Sequence, residues 1–201
     1  MIKKIILYSL FSLFIFSSIY FFLNKDYYQN TTVQKIENQE ALPGGHFKLI
    51  KQDGTVFDSE ISNKLMLIYF GFTYCPDVCP TTLIKMADVI DRLGDDALEV
   101  NSIFISVDPE RDNVEIINDY VSAFHNQIIG LTGNEEQISN VAKDWGVYYQ
   151  KEFIDGSAEY TVNHLDIIFL ANANGEFIDF FPPKIQSALI VEKVRNLIKS
   201  D

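Results

Sequence analysis

The chain has 201 residues, a formal net charge of −12 at pH 7 and 47% hydrophobic residues, which is enough for one packed domain with additional segments. The acidic balance argues against a nucleic-acid partner, because a phosphate backbone would be repelled, and it is compatible with a cationic partner or a metal ion. Two cysteines are too few for a disulfide scaffold, so their close spacing points to a local metal-binding or redox-active pair.

The N-terminal segment has the pattern of a membrane anchor. Lys3 and Lys4 precede an uncharged, mainly apolar run over residues 5–23, close to the roughly 20 residues that span a bilayer. A cleaved signal peptide is the alternative, but the run is longer than its usual core and no small-x-small cleavage site follows. We therefore predict a cytoplasmic segment at 1–4 and one transmembrane helix at 5–23. The lack of an Arg-rich transit peptide favours the bacterial inner membrane, with the C-terminal domain in the periplasm.

A polar linker and a hairpin follow the predicted anchor. Residues 24–41 lack an apolar period and are predicted to form a flexible linker ahead of a folded domain at 42–201. Residues 46–50 alternate between apolar and polar side chains, 52–54 form a turn signal, and 55–57 are predicted to be the return strand of the hairpin.

Both cysteines lie where a buried strand is predicted to turn into a helix. Residues 65–70 are nearly all apolar, which predicts a central strand covered on both faces. Pro80 suits the first turn of a helix, so Cys79 is its predicted N-cap. The apolar period continues to Leu93, and Gly94 ends the helix.

The rest of the domain alternates strands and helices. We predict strands at 100–107, 128–131, 165–170 and 176–181 and an extended segment at 147–153. Three helices are predicted: one from the loop at 108–112 to about 124, one from a capping box at 132–135 to Trp145, and one at 185–198. A hairpin turn is predicted at Asn174-Gly175. This order predicts a three-layer α/β domain, and a thiol pair on the first strand-to-helix turn favours a thioredoxin-like architecture.

The spacing of Cys75 and Cys79 favours metal binding and leaves a redox disulfide open. On a regular helical turn, β-carbons four residues apart are about 5–6 Å from each other, whereas a disulfide requires roughly 3.5–4.5 Å. A loop could adjust to that shorter distance. Two thiolates can hold one soft metal ion at this spacing without strain, and a helix N-terminus stabilises them.

Two thiolates make an incomplete site, so the histidines are candidates for a third ligand. His46 is expected at an exposed strand edge, and His125 ends a helix, where the dipole favours a cation. His164 precedes an apolar strand, in the segment that faces the first strand-to-helix turn of a thioredoxin-like fold. Two sulfurs and one imidazole suit Cu(I), or Cu(II) with an added oxygen donor. Zinc also accepts this donor set.

Three sequence blocks together resemble the Sco/SenC family of membrane-anchored, thioredoxin-like copper proteins. The blocks are residues 71–80 with both cysteines, Val107-Asp108-Pro109-Glu110-Arg111-Asp112, and Tyr160-Thr161-Val162-Asn163-His164. They come in the family's order, and the resemblance covers roughly residue 42 to the C-terminus. The combination of motifs is highly specific.

The resemblance implies a copper chaperone that assists assembly of the dinuclear copper site in subunit II of cytochrome c oxidase. It implies Cys75, Cys79 and His164 as copper ligands, with Asp108 nearby in support of metal loading or partner contact. Another copper chaperone or a thioredoxin-like reductant is an expected further partner. Without the resemblance, Asp108 is an ordinary loop residue and Asp112 is predicted to cap the next helix.

Three positions depart from the family pattern. Asn163 stands where the family usually has aspartate, Leu165 where a small or polar residue is common, and Tyr74 where some members have histidine. The change at Asn163 is expected to alter ligand orientation or partner docking without removing a donor atom.

Other functions for the same cysteines remain open. A thiol-disulfide reductase that keeps the cysteines of subunit II reduced is the main alternative, although thioredoxin-type reductases use Cys-x-x-Cys and this chain has one residue more. A peroxidase and a pair of structural cysteines have less support from the sequence.

Overall fold

A seven-stranded sheet forms the centre of the domain in the computed structural model, which describes residues 42–154, 157 and 159–200. The strands are β1 (Lys48–Lys51), β2 (Val56–Asp58), β3 (Leu65–Gly71), β4 (Val100–Ser106), β5 (Ile128–Thr132), β6 (Tyr149–Phe153), β7 (Tyr160–His164), β8 (Ile168–Ala171) and β9 (Phe177–Phe181). The large sheet has the order β2-β1-β5-β4-β3-β8-β9, and β6 pairs with β7 in a separate two-stranded sheet. In the large sheet, β4 pairs in parallel with β3 and β5, and the other pairings are antiparallel.

Helices cover both faces of the large sheet. They are α1 (Val78–Leu93), α2 (Val114–Ser122), α3 (Glu135–Asp144) and α4 (Ser187–Ile198). The right-handed rule for connections between parallel strands places α1 and α2 on one face, and α4 packs against α1. On the other face, Trp145 at the end of α3 packs edge-on against Phe169, with ring centroids 5.6 Å apart. The result is the predicted three-layer α/β arrangement.

The central strand has the burial that its composition predicts. All seven residues of β3 are buried, since β4 and β8 flank the strand and helices cover its two faces. The hairpin of β1 and β2 and the turn at Asn174-Gly175 also lie where the sequence predicts them. Gly175 has a φ of +73°, a conformation that favours glycine.

The predicted start of the first helix is wrong by two residues. The helix α1 begins at Val78, and Asp77 occupies the N-cap position without a side-chain cap bond. Pro80 is tolerated at the third helical position, because the first N–H groups of a helix have no partner within it. Cys79 therefore lies inside the first turn and is fully buried, whereas Cys75 lies in the loop between β3 and α1.

Three further boundaries differ from the predictions. The helix α3 is capped by Asn134 and Gln137, because Thr132 is still part of β5. Asn113, and not Asp112, caps α2. The strand predicted at 165–170 begins only at Ile168, so residues 165–167 form a link between β7 and β8.

The predicted segments at 1–4, 5–23 and 24–41 lie outside the described residues. Within the part of the chain that the structure describes, no helix combines the length and apolar character needed to cross a bilayer.

Candidate metal centre

The structure brings Cys75, Cys79 and His164 together. One donor atom from each lies within 4.8 Å of the other two, and Cys79 Sγ is 3.3 Å from His164 Nε2. The loop after β3 carries Cys75, the first turn of α1 carries Cys79, and the last residue of β7 is His164. The other two histidines do not belong to this group: His46 is exposed, and His125 lies at the surface with its Nε2 3.5 Å from Asp91.

A hydrogen bond to the main chain orients the His164 ring. His164 Nδ1 lies 3.2 Å from the carbonyl oxygen of Leu165. Because a carbonyl can only accept, we assign the proton to Nδ1, which leaves the lone pair of Nε2 directed at Cys79. The ring also packs edge-on against Phe72 and Tyr69, with centroids 5.8 and 6.1 Å away. Such support fixes the orientation of a metal-binding imidazole.

Gly71 allows the Cys79 thiol to approach the end of β3. A β-carbon at this position would lie 2.8 Å from Cys79 Sγ and 3.0 Å from the Phe104 ring. Both distances are shorter than ordinary van der Waals contact, so any larger residue must displace the thiol or the ring. The absence of a side chain at position 71 is therefore part of how the fold places this sulfur.

Replacing Gly71 with alanine is expected to displace the Cys79 thiol. We expect a loss of about 1–3 kcal/mol in the free energy of unfolding, typical of overpacking in a core, together with weaker Cu(I) binding. Urea unfolding and a Cu(I) titration measure the two effects. Thr81→Ala is the control, since Thr81 is exposed in the first turn of the helix that carries Cys79. If Gly71→Ala keeps the stability and copper affinity of the wild type, the lack of a side chain at position 71 is not what places the Cys79 sulfur.

The two thiols have opposite pKa shifts because they lie side by side. A hydrogen bond from Cys79 lowers the pKa of Cys75 most, and the main-chain N–H groups of Asp77 and Cys79 lower it further against the effect of burial. The pKa of Cys79 is raised by its bond to Cys75 and by burial. One thiolate is thus favoured beside one thiol, and a bound cation would release the remaining proton.

Asp108 is buried in the loop after β4 and holds Arg111. Its carboxylate is fully buried, forms an ion pair with Arg111 and accepts a 2.8 Å hydrogen bond from the Tyr160 hydroxyl. The Arg111 guanidinium lies over the Tyr160 ring at 3.7 Å and near the Tyr74 ring at 4.9 Å. It also donates a 2.8 Å bond to the Tyr160 carbonyl. Arg111 therefore links the cysteine loop to β7, the strand that carries His164.

Comparison with known proteins identifies the family. A family model described as SCO1/SenC matches residues 35–199, which is most of the chain. The chain belongs to the SCO1/SenC family.

Relatives of this SCO1/SenC protein occur in bacteria and in mitochondria. The chain is 41% identical over 140 residues to the SCO2-like protein of Rickettsia felis, with 69% of this chain and 68% of the relative covered. It is 42% identical over 144 residues to the mitochondrial protein SCO1 homolog 1 of Arabidopsis thaliana. That match covers 71% of this chain but only 43% of the plant protein.

A solved structure supports the predicted fold class. The crystal structure of Arabidopsis thaliana ScoI with copper bound has a TM-score of 0.72 and 38% sequence identity, covering 79% of this chain and 99% of that one. The prediction of a thioredoxin-like α/β domain is confirmed by this likeness. Copper is bound in that similar structure, and the SCO1/SenC chain has a Cys-Cys-His group that can hold a metal ion.

Asp112 has a role in the SCO1/SenC chain that sequence reasoning missed. It is fully buried, and its carboxylate accepts hydrogen bonds from the Thr73 N–H at 2.9 Å, the Thr73 hydroxyl at 2.5 Å and the Ser106 hydroxyl at 2.5 Å. Burial raises the pKa of Asp112, although these donors act in the opposite direction. The residue fastens the cysteine loop to the end of β4, and it does not cap α2.

A second carboxylate, Asp166, was also missed. Its Oδ1 accepts hydrogen bonds from the Tyr69 hydroxyl at 3.0 Å and the Thr82 hydroxyl at 3.1 Å. Burial is the main cause of the raised pKa of Tyr69, and the neighbouring Cys79 and Asp166 add to it. The sequence contains two signals: a charged residue within a predicted apolar strand, and a tyrosine in a buried strand whose hydroxyl needs a partner.

The three departures from the family pattern lie on the surface. The Asn163 side chain donates a 2.7 Å bond to Glu152 on the neighbouring strand β6. Leu165 and Tyr74 are 39% and 60% exposed. None of these residues belongs to the group of donor atoms formed by the two cysteines and His164.

Proposed function

We propose that this protein binds one copper ion through Cys75, Cys79 and His164 and delivers it during assembly of cytochrome c oxidase. The observation that carries the proposal is the convergence of two sulfurs and one imidazole nitrogen within 4.8 Å. This donor set is soft, and Cu(I) accepts it in a three-coordinate geometry. Copper is bound in the similar Arabidopsis structure.

The surroundings of the centre suit a cargo that must be held and then released. Cys79 is fully buried and Cys75 is 8% exposed, so water has little access to the two sulfurs. His164 is half-buried and is the ligand that an acceptor can reach first. Ligands of an acceptor would therefore approach from the side of β7, where exchange of the imidazole opens the site.

The acceptor in this proposal is the dinuclear copper site of subunit II of the oxidase. The domain at 42–201 works in the periplasm, tethered by a linker at 24–41 to a helix at 5–23 in the bacterial inner membrane, with residues 1–4 in the cytoplasm. The apolar run at 5–23 supports this arrangement. An alkaline wash of membranes tests it, and release of the chain into the supernatant would argue against the anchor.

A Cu(I) titration of the reduced, purified protein tests the copper proposal. We expect the wild type to bind about one Cu(I) ion. His164→Ala should bind it at least about tenfold more weakly, since the loss of even an outer partner of a metal ligand costs 10–100-fold in affinity. Unchanged affinity in this variant would remove His164 from the site and with it the chaperone function in this form.

Thiol-disulfide reduction of subunit II is a second candidate function. The observation that favours it is a pair of free, adjacent thiols in which the pKa of Cys75 is lowered. In this reaction the two thiols become a disulfide as a disulfide of the partner becomes two thiols, and a thioredoxin-like reductant would restore them. A reductase requires Cys75 and Cys79 but tolerates His164→Ala, whereas copper delivery requires all three residues.

In the copper-delivery function, another copper chaperone would supply the metal ion.

A further inference from the structure

His164 lies on a sheet that is separate from the elements carrying the cysteines. Its strand β7 pairs only with β6 among the described strands, whereas Cys75 and Cys79 follow β3 of the large sheet. The main chain rejoins the large sheet at Ile168, which pairs with Tyr69. The position of the imidazole relative to Cys79 therefore depends on contacts made by side chains between the two sheets.

Asp166 makes such contacts on both elements that position the cysteines. Its Oδ1 is bonded to Tyr69 on β3 at 3.0 Å and to Thr82 on α1 at 3.1 Å. Both partners are buried. Thr82 is three residues after Cys79, and residues at this spacing lie on the same face of a helix. The Asp166 carboxylate thus bonds to the face of α1 that carries the buried Cys79 sulfur.

Asp166 lies in the link between β7 and β8, two residues before β8 begins. Ile168, the first residue of β8, is the partner of Tyr69, so the link passes close to this part of β3, and the Tyr69 hydroxyl reaches the Asp166 carboxylate. Among the described residues, the group of close donor atoms at the centre contains no carboxylate, so Asp166 does not act as a ligand in this arrangement.

We propose that Asp166 is a positioning residue for His164. By fastening the link between β7 and β8 to Tyr69 and Thr82, it holds the imidazole at Cys79 before any metal ion arrives. Bonds to a carboxylate are stronger than bonds between neutral groups, and ordering a ligand in advance lowers the entropy lost on binding. The inference deepens the proposed copper site and relies on it only for the copper measurement below.

Two measurements on the full-length protein test this role. Asp166→Ala should weaken Cu(I) binding about tenfold, the lower end of the range for loss of an outer partner, when Cu(I) is titrated against a chromogenic chelator. Asp166→Asn keeps an oxygen that accepts from Tyr69 and Thr82. Its Cu(I) affinity should stay within about threefold of the wild type, because the variant weakens these hydrogen bonds without removing them. Asp179→Ala is the control for charge, since it removes a surface carboxylate that pairs with Lys193, and should bind copper as the wild type does.

The second measurement needs no copper. In the metal-free protein, a long-range proton–nitrogen NMR spectrum should show the His164 ring as one Nδ1–H tautomer in the wild type, in Asp166→Asn and in Asp179→Ala. In Asp166→Ala we expect averaged nitrogen shifts, the sign of a ring that has lost its fixed orientation. A double-mutant cycle tests whether Asp166 acts through His164. If it does, Asp166→Ala should have no further effect on copper affinity when His164 is already alanine.

Three results would overturn the positioning role: an unchanged imidazole spectrum in Asp166→Ala, full additivity of the two substitutions, or an equal loss in Asp179→Ala. If Asp166→Ala fails to fold, Thr82→Val removes one donor at constant shape, and an unchanged His164 spectrum there would count equally against it. A wild type that binds no copper would refute the proposed function, while the imidazole spectrum would still decide the role of Asp166.

Discussion

Replacing Cys79 with serine is expected to lower Cu(I) affinity by more than about 100-fold. The change removes one of three soft donors and leaves a hydroxyl, which is a poor ligand for Cu(I). The expected loss exceeds the 10–100-fold effect of removing an outer partner of a ligand. Serine is similar in size to cysteine, and His164 Nε2, 3.3 Å from the Cys79 sulfur, can accept a hydrogen bond from the buried hydroxyl, so the fold should persist. Competition with a chromogenic Cu(I) chelator measures the affinity, and thermal unfolding checks the fold.

A variant in the same helical turn serves as the control for Cys79→Ser. Thr81 is exposed and its hydroxyl donates only to the Asp77 carbonyl, at 3.0 Å. Thr81→Ala should therefore keep wild-type copper affinity while altering the same end of α1. Copper affinity within threefold of the wild type in Cys79→Ser would show that the metal ion is held elsewhere.

The sequence was most informative where the pattern is local. The apolar run of β3 and the two cysteines with their prolines predicted a buried strand, a turn and a helix, and each lies within a few residues of its predicted position. Helix starts were less certain, because Pro80 is compatible with any position in the first turn. His164 was singled out by its place before an apolar strand of a thioredoxin-like fold, and the family resemblance then supported it, since a lone histidine has no periodic signal of its own.

The supporting shell of the centre could not be predicted in the same way. Thr73 and Asp112 are 39 residues apart in the chain, and Tyr69 and Asp166 are 97 apart. Side-chain hydrogen bonds between distant segments leave no periodicity, and an aspartate in a loop reads as a cap or a solvated residue until the fold is known. The extended segment predicted at 147–153 corresponds to β6. Its partner β7 and the separate sheet that the two strands form were missed, because pairing between strands leaves no signal in a single sequence.

The loop after β4 is where these long-range contacts concentrate. Asp108 and Arg111 connect it to Tyr160 on β7, and Asp112 connects it to Thr73 in the cysteine loop. One short segment thus contacts the loop that carries Cys75 and the strand that carries His164. Asp108 and Asp112 are buried in the protein, whereas Glu110 of the same loop is exposed and pairs with Lys151. The burial of Asp108 favours a structural support of the site over a docking role for this residue.

Replacing Asp112 with alanine should destabilise the domain by about 2–4 kcal/mol. The substitution leaves the Thr73 N–H and two hydroxyl groups without their acceptor in a buried place, and each buried group left unpaired costs about 1–3 kcal/mol, with partial relief from rearrangement. The cysteine loop would lose its attachment to β4, so Cu(I) affinity should fall along with stability. Urea unfolding gives the free energy, and m-values equal to the wild type would support a direct comparison.

Asp119→Ala provides the matched control for Asp112→Ala. Asp119 is an exposed aspartate in the adjacent helix α2, so its loss should change the free energy of unfolding by no more than about 0.5 kcal/mol. The comparison separates removal of a negative charge from removal of a buried acceptor, since both variants change the net charge equally. Equal stabilities for the two variants would mean that the Thr73 and Ser106 bonds to Asp112 do not hold the cysteine loop.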